Sequence, residues 1–168
     1  MTAFCSNRTV TVIIDKAFSG IKAMNTMQIN VSQLLKEGIG SVRDYEISGT
    51  IDTTDSGASS PIRGEVRLMR TSRSILVKGK LYVTIDATCS RCLKTFDCPL
   101  TLDIEEEFFP VLDASSGTPL PLPDEPSSFS IDEHQVLDLS EVARQYPILA
   151  IPMKPLCRND CPGMQLNS

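Results

Sequence analysis

The sequence contains no tryptophan, few aromatic residues of any kind and a single histidine, His134. With aromatics at 5% of the chain, a broad surface of rings that stack on bases is excluded. His134 lies in an acidic, proline-flanked segment and is expected to be a surface side chain. No Ser/His/Asp order, histidine-containing metal motif or glycine-rich phosphate loop is present in the sequence. The run Glu105–Glu107 is typical of a solvated surface. We therefore expect a protein that is not an enzyme and has no small-molecule substrate.

Basic charge is also scarce. The chain has 16 Lys and Arg against 21 Asp and Glu, for a net charge of −5, whereas proteins that coat nucleic acid non-specifically depend on a basic excess. Contact with RNA then requires a local basic patch, unless the partner is a basic protein. No segment is long enough to span a bilayer, and the first residues lack the pattern of a signal peptide. We expect a cytoplasmic protein, in which cysteines stay reduced.

Two segments in the middle of the chain alternate apolar and polar residues, as strands with one buried face do. In residues 75–87 the odd positions are apolar, and in residues 96–104 the even positions are. An antiparallel hairpin that turns at Arg91–Cys92 matches each inward residue with another inward residue. The predicted inward pairs are Leu81 with Leu102, Val83 with Leu100, Ile85 with Cys98, and Ala87 with Phe96. The predicted outward pairs are Lys80 with Asp103 and Lys78 with Glu105.

The cysteines of this hairpin are of two kinds. Cys98 is on the inward face and is expected to be a small structural side chain of the core. Cys89 and Cys92 lie in the turn, and the tail of the chain adds Cys157 and Cys161. Two close pairs in a reducing compartment favour a zinc site that joins the tail to the hairpin. Four reduced thiols without metal are the alternative, and a thioredoxin-like site is disfavoured because the Cys-x-x-Cys joins two strands.

A further strand is predicted before the hairpin, with a turn at Thr71–Ser72 that sets Val66 against Val77 and Leu68 against Ile75. Its outer face and turn concentrate positive charge on six residues, namely Arg63, Arg67, Arg70, Arg73, Lys78 and Lys80. Such a face can contact RNA phosphates. The preferred interpretation is a solvated face that is neutralised by the neighbouring strand containing Asp103 and Glu105.

The rest of the chain is predicted to add short elements to an α+β fold. Strands are expected at residues 9–14, near residue 28 and at 44–52, with a short helix capped by Ser32. After a Pro-rich, acidic connection at about 106–135, a helix is predicted with a capping box at Asp138 and Glu141 and a kink or early end at Pro147. We expect an antiparallel, partly barrel-like sheet flanked by short helices. Residues 1–26 would be an N-terminal extension and residues 27–168 a single domain.

Three stretches together resemble the YceD family of large ribosomal RNA subunit accumulation proteins. They are INVSQLLKEGIGSVRDYEI, then CSRCL with the strand that ends in EEEF, and LAIPMKPLCRNDCPG after the last helix. The resemblance implies a non-enzymatic role in 23S rRNA accumulation and large-subunit assembly, with ribosomal RNA or a basic ribosomal protein as partner. The cysteines that match the family are Cys89, Cys92, Cys157 and Cys161. A zinc-stapled structural adaptor and a thiol redox protein, both unrelated to RNA, are the alternatives.

Overall fold

The computed structural model describes residues 27–52, 59–125 and 128–164. The elements are β1 (Gln28–Asn30), α1 (Ser32–Lys36), β2 (Val42–Asp52), β3 (Ser59–Arg70), β4 (Ile75–Thr88), β5 (Thr95–Pro110), β6 (Phe129–Ile131), β7 (Val136–Asp138) and α2 (Ser140–Ala150). The strand predicted at residues 9–14 lies outside the described residues. In the described ranges, neither helix is long and apolar enough to cross a membrane.

A five-stranded sheet in the order β2-β3-β4-β5-β6 forms most of the fold. Its first four strands are antiparallel neighbours, β6 joins β5 in parallel, and β1 pairs with β7 in a separate small sheet. The large sheet is curled, because α2 contacts both β5 and β2 although two strands separate them. The predicted α+β class with a partly barrel-like sheet is confirmed.

One apolar core lies between the curled sheet and the short elements. The sheet contributes the inward residues of β2 to β5, and β1, α1, β7 and α2 cover them from the other side. The covering side chains include Met27, Ile29, Val31, Leu34, Leu137, Leu139, Val142 and Ala143. Burial of this continuous apolar surface is the main stabilising term of the fold. It also explains why such short elements persist, since none would be stable alone.

The predicted register of β4 and β5 is confirmed. Leu81 lies opposite Leu102, Val83 opposite Leu100, Ile85 opposite Cys98 and Ala87 opposite Phe96. On the outer face, Lys78 Nζ lies 2.8 Å from Glu105 Oε1, and Lys80 Nζ lies 3.2 Å from Asp103 Oδ1. Cys98 is fully buried, as expected.

Strand β5 is longer than the sequence suggested, because the glutamate run does not end it. Glu106 occupies an inward position between Ile104 and Phe108 and is only half exposed. Its Oε1 accepts a 2.8 Å hydrogen bond from the hydroxyl of Tyr146 on α2. The expectation that all three glutamates are solvated is therefore wrong for Glu106, whose polar end is satisfied by a helix from elsewhere in the chain.

The predicted pairing of β3 with β4 is wrong by two residues. Leu68 lies opposite Val77, and Arg70 opposite Ile75. The turn is centred on Ser72–Arg73, because Thr71 N–H donates to the Ser74 carbonyl and the two hydroxyls of Thr71 and Ser74 hydrogen-bond at 2.7 Å. A shift of two residues keeps every side chain on its predicted face, so the core residues are unchanged.

The helix boundaries also differ from the prediction. Val31 precedes α1 and Leu139 precedes α2, and neither gives a side-chain cap. Instead Asn30 Oδ1 accepts from the Ser32 N–H and Asp138 Oδ1 accepts from the Ser140 N–H. The predicted cap at Ser32 and the capping box are therefore absent. Helix α2 continues past Pro147 to Ala150, with the Pro147 ring buried against the core.

Two glycines allow β3 and β4 to approach closely at the bend of the sheet. Gly64 lies opposite Leu81, and Gly79 lies opposite Val66. A Cβ on Gly64 would collide with the Lys80 carbonyl, and one on Gly79 would collide with the Glu65 carbonyl. These contacts are with strand backbone and cannot be relieved by a side-chain rotation.

We expect Gly79→Ala to reduce the free energy of unfolding by about 1–3 kcal/mol, as overpacking in a core does. Chemical denaturation monitored by circular dichroism measures the change. Gly38→Ala is the matched control, because nothing lies within 4 Å of a Cβ at that position. Equal stability of the two variants would contradict the close approach.

Candidate metal centre

The turn between β4 and β5 presents Cys89 and Cys92 on one compact loop. Leu93 N–H donates to the Cys89 carbonyl at 3.0 Å, and Cys89 N–H donates to the Lys94 carbonyl at 2.9 Å. Leu93 adopts a positive φ of 58°, which reverses the chain just after the second cysteine. The backbone thereby directs both thiols to the same side of the turn, as in the knuckles that bind zinc.

The tail after α2 folds back over this turn. Ser90 N–H donates to the Pro155 carbonyl at 2.8 Å, and Arg91 Nη1 donates to the Cys161 carbonyl at 3.1 Å. Gly163, with a φ of 86°, redirects the chain after the second tail cysteine. Sequence reasoning did not assign a role to Arg91, since its acceptor lies 70 residues away in the chain.

Four thiols meet where the tail and the turn come together. The Sγ atoms of Cys89 and Cys161 lie 3.8 Å apart, those of Cys92 and Cys157 lie 3.7 Å apart, and all four lie within 4.8 Å of one another. A tetrahedral zinc with Zn–S bonds of about 2.3 Å places its sulfurs about 3.8 Å apart. The cluster therefore fits a tetrahedral ion with little rearrangement.

The pKa values of two of the thiols, Cys89 and Cys157, shift in opposite directions. Backbone hydrogen bonds from Cys92 and then Cys157 lower the pKa of Cys89 to about 6. Removal from water, followed by contact with the other thiols, raises the pKa of Cys157 to about 12. Adjacent thiolates repel in this way unless a cation lies between them, and a divalent ion would supply the positive charge that ionises the whole set.

The pairing of the sulfurs does not favour a redox site. The short 3.7 and 3.8 Å distances join the turn to the tail, rather than the two cysteines of the Cys-x-x-Cys to each other. Cys89 and Cys161 are buried, and thiol exchange requires an accessible sulfur. The turn also joins two strands, so no helix N-terminus lies behind it.

The basic residues predicted to contact RNA separate into two groups. Three are neutralised on the outer face of the sheet, in the ion pairs Arg67–Asp44, Lys78–Glu105 and Lys80–Asp103. Within the described ranges, Arg63, Arg70 and Arg73 form no ion pair. Arg70 is the last residue of β3, next to the turn, and its partner in the sheet is the buried Ile75. His134 is exposed between β6 and β7, as expected.

An exposed apolar segment between α2 and the tail was missed by sequence reasoning. Leu149 is 81% exposed and Met153 is fully exposed, and Ile148 and Ile151 are also accessible to solvent. The apolar residues of this helix recur at helical spacing, a pattern that predicts Leu149 on the inward face. Inward positions of α2 are instead taken by Val142, Ala143 and Pro147. Contiguous exposed aliphatic side chains commonly mark a protein-binding surface.

Comparison with known proteins extends these observations. A family model described as large ribosomal RNA subunit accumulation protein YceD matches residues 77–168, which is more than half of the chain. The matched part runs from β4 through the cysteine turn, β5, α2 and the tail, and so contains all four clustered cysteines. No curated protein and no solved structure gives a significant match.

We expect purified protein to contain about one zinc ion per chain, since four thiolates complete a tetrahedral site. Cys89→Ser combined with Cys161→Ser should remove the metal and lower the thermal midpoint, because metal binding contributes to folding. Elemental analysis and thermal denaturation measure the two effects. Cys98→Ala is the control for metal content, as it removes a cysteine of the same hairpin from outside the cluster. Ser90→Ala is the control for the thermal midpoint, because it shortens an exposed side chain of the same turn. Wild-type protein without metal, or a double serine variant that keeps it, would refute the assignment.

Proposed function

The chain belongs to the YceD family of large ribosomal RNA subunit accumulation proteins, and from this premise we propose that it is a ribosome-biogenesis factor that supports 23S rRNA accumulation and large-subunit assembly. The family match across β4, β5, α2 and the tail is the observation that carries the proposal. Because β2 and β3 pair with β4 in one sheet, we propose that residues 27–168 act as a single domain.

The protein acts by binding and not by catalysis in this proposal. A zinc ion held by Cys89, Cys92, Cys157 and Cys161 would have four protein ligands and no open position for water. Such closed sites are structural, whereas catalytic zinc retains an exchangeable position. The metal would hold the tail against the β4–β5 turn and thereby position the segment that joins the tail to α2.

The exposed apolar segment between α2 and the tail supports the proposal that one partner is a ribosomal protein. Ile148, Leu149, Ile151 and Met153 form the apolar surface, and they are aliphatic, so they suit a protein surface better than stacked bases. The net charge of −5 favours a basic partner, as the ribosomal proteins of the large subunit commonly are. We assign the exposed apolar segment to a basic ribosomal protein of the large subunit.

Ribosomal RNA is the second proposed partner. The ion pairs of Arg67, Lys78 and Lys80 remove most of the free charge from the outer face of β3 and β4. The cations left for phosphate are Arg63 on the outer face and Arg70 and Arg73 near the β3–β4 turn. Among these six candidates, RNA contact would therefore involve a small part of the surface, which agrees with the acidic composition.

Depletion of the protein from its own cells is expected to lower 23S rRNA relative to 16S rRNA and to reduce the large-subunit peak in sucrose gradients. Complementation with Leu149→Ser and Met153→Ser together should fail to restore the peak, because the apolar docking surface is lost. Val42→Ser is the matched control, since Val42 is an exposed aliphatic residue on the edge strand β2.

Normal 23S rRNA and a normal large-subunit peak after depletion would refute the proposed function. Full rescue by the double serine variant would leave the proposed function intact and would refute only the assignment of the docking surface. Circular dichroism of each purified variant confirms that a failed rescue does not come from unfolding.

A further inference from the structure

A cavity of about 480 Å³ opens at the end of the sheet, where the β3–β4 turn meets α1 and the segment that follows β5. Its walls are largely apolar and include Leu35, Phe109, Pro110, Leu120 and Pro121. Arg70 and Arg73 line the same cavity, together with the polar side chains of Ser72 and Ser115. A volume of this size with mostly apolar walls and a few polar groups is typical of a ligand site.

Arg70 reaches this cavity from inside the fold. As the last residue of β3 it lies opposite the fully buried Ile75. Its Nε and Nη1 atoms are buried and have no hydrogen-bond partner among the described residues. A guanidinium has five N–H donors and cannot lose its charge, so buried donors of this kind require an acceptor.

The nearest carboxylate does not satisfy Arg70. Asp113 Oδ1 accepts hydrogen bonds from the backbone N–H groups of Ser115 and Ser116 and from the Ser116 hydroxyl. The pKa of Asp113 is lowered chiefly by Ser116, and Arg70 adds a weaker electrostatic contribution. Asp113 therefore offsets part of the local positive charge while its Oδ1 is engaged by hydrogen bonds within its own loop.

Of the three candidate RNA contacts without an ion pair, Arg70 and Arg73 lie at this cavity and Arg63 lies on the outer face. Arg67, Lys78 and Lys80 are paired with carboxylates there. Arg73 is exposed at the turn, and within the described residues neither Arg70 nor Arg73 forms an ion pair. Two uncompensated guanidinium groups beside an apolar wall are complementary to an anion that carries a flat apolar group.

We propose that this cavity binds a phosphate of single-stranded RNA, with Arg70 and Arg73 on the phosphate oxygens and the adjoining nucleoside against Phe109 and the prolines. The inference rests on the proposed role in rRNA accumulation. The planar guanidinium fork of Arg70 matches the geometry of two phosphate oxygens. Unstacked bases of single-stranded RNA pack on aromatic rings and on guanidinium planes, and both are present here. A carboxylate would satisfy Arg70 but leave the apolar wall uncovered.

The test is fluorescence anisotropy of a short, fluorescein-labelled single-stranded RNA with the full chain. Arg70→Gln and Arg73→Gln should each weaken binding about ten- to a hundredfold, the loss expected for a hydrogen-bonded charged contact. Each should also reduce the slope of log K against log salt by about 0.7, since one phosphate contact is lost. Lys94→Gln is the matched control, because it removes one positive charge from the exposed β4–β5 turn, at the opposite end of β4 from the cavity. Arg63→Gln tests the outer face of β3 separately.

Further binding measurements distinguish between the possible classes of ligand. A 5′-mononucleotide that competes with the RNA in wild-type protein but not in Arg70→Gln would show that the site takes a free nucleotide as well as an RNA phosphate. Binding of an oligoglutamate peptide in place of the RNA, lost in Arg70→Gln, would overturn the proposal in favour of a carboxylate ligand. Because Arg73 is exposed in a turn, Arg73→Gln remains informative if Arg70→Gln does not fold.

Failure of this inference differs from failure of the proposed function. RNA binding that is unchanged in both arginine variants but lost in Arg63→Gln would overturn the cavity and leave the biogenesis role intact. Wild-type protein that binds no RNA but still sediments with large-subunit precursors would likewise overturn the cavity proposal and leave the biogenesis role intact. Absence of any effect on 23S rRNA after depletion, with Arg70-dependent RNA binding retained, would instead refute the proposed function.

Discussion

The pairing of β4 with β5 is the interaction on which the rest of the structure depends. All 14 residues of β4 pair with β5 in one antiparallel register. Since successive side chains of a strand point to opposite faces, this register turns the aliphatic residues and Cys98 inward and the Lys–Asp and Lys–Glu pairs outward. It also leaves Cys89 and Cys92 together at the turn. A slip of one residue would bury the charges and direct the aliphatic residues to solvent.

The cysteine cluster connects this hairpin to the end of the chain. Between α2 and the tail the chain contributes little to the core, and Leu149 and Met153 are exposed to solvent. The tail is held by two hydrogen bonds to the turn, at Ser90 and Arg91, and by the contact of four thiols. Backbone hydrogen bonds contribute about 0.5–1.5 kcal/mol each, so a metal at the thiols would be the dominant restraint on this part of the molecule.

The distribution of positive charge has a similar explanation in strand geometry. On β3, Arg63 and Arg67 point outward, whereas Arg70 follows Val66 and Leu68 on the inward face. An exposed ion pair such as Arg67–Asp44 is screened by solvent and contributes little to stability. A buried guanidinium donor without an acceptor costs about 1–3 kcal/mol. Arg70 therefore carries an energetic cost in the free protein, which the proposed anionic ligand would offset.

The sequence by itself determined the register of the β4–β5 hairpin, the burial of Cys98, the two close cysteine pairs and the family. The first three features depend on alternation and spacing, which are local properties of the chain, and the family was inferred from resemblance over three stretches of sequence. It placed the β3–β4 turn one residue too early, because hydroxyl hydrogen bonds between Thr71 and Ser74 outweighed the expected turn. Only the tertiary structure decided that the two cysteine pairs meet, that Tyr146 satisfies Glu106, and that Arg70 enters a cavity. Each of these requires atoms from segments far apart in the chain, and no local pattern encodes their distance.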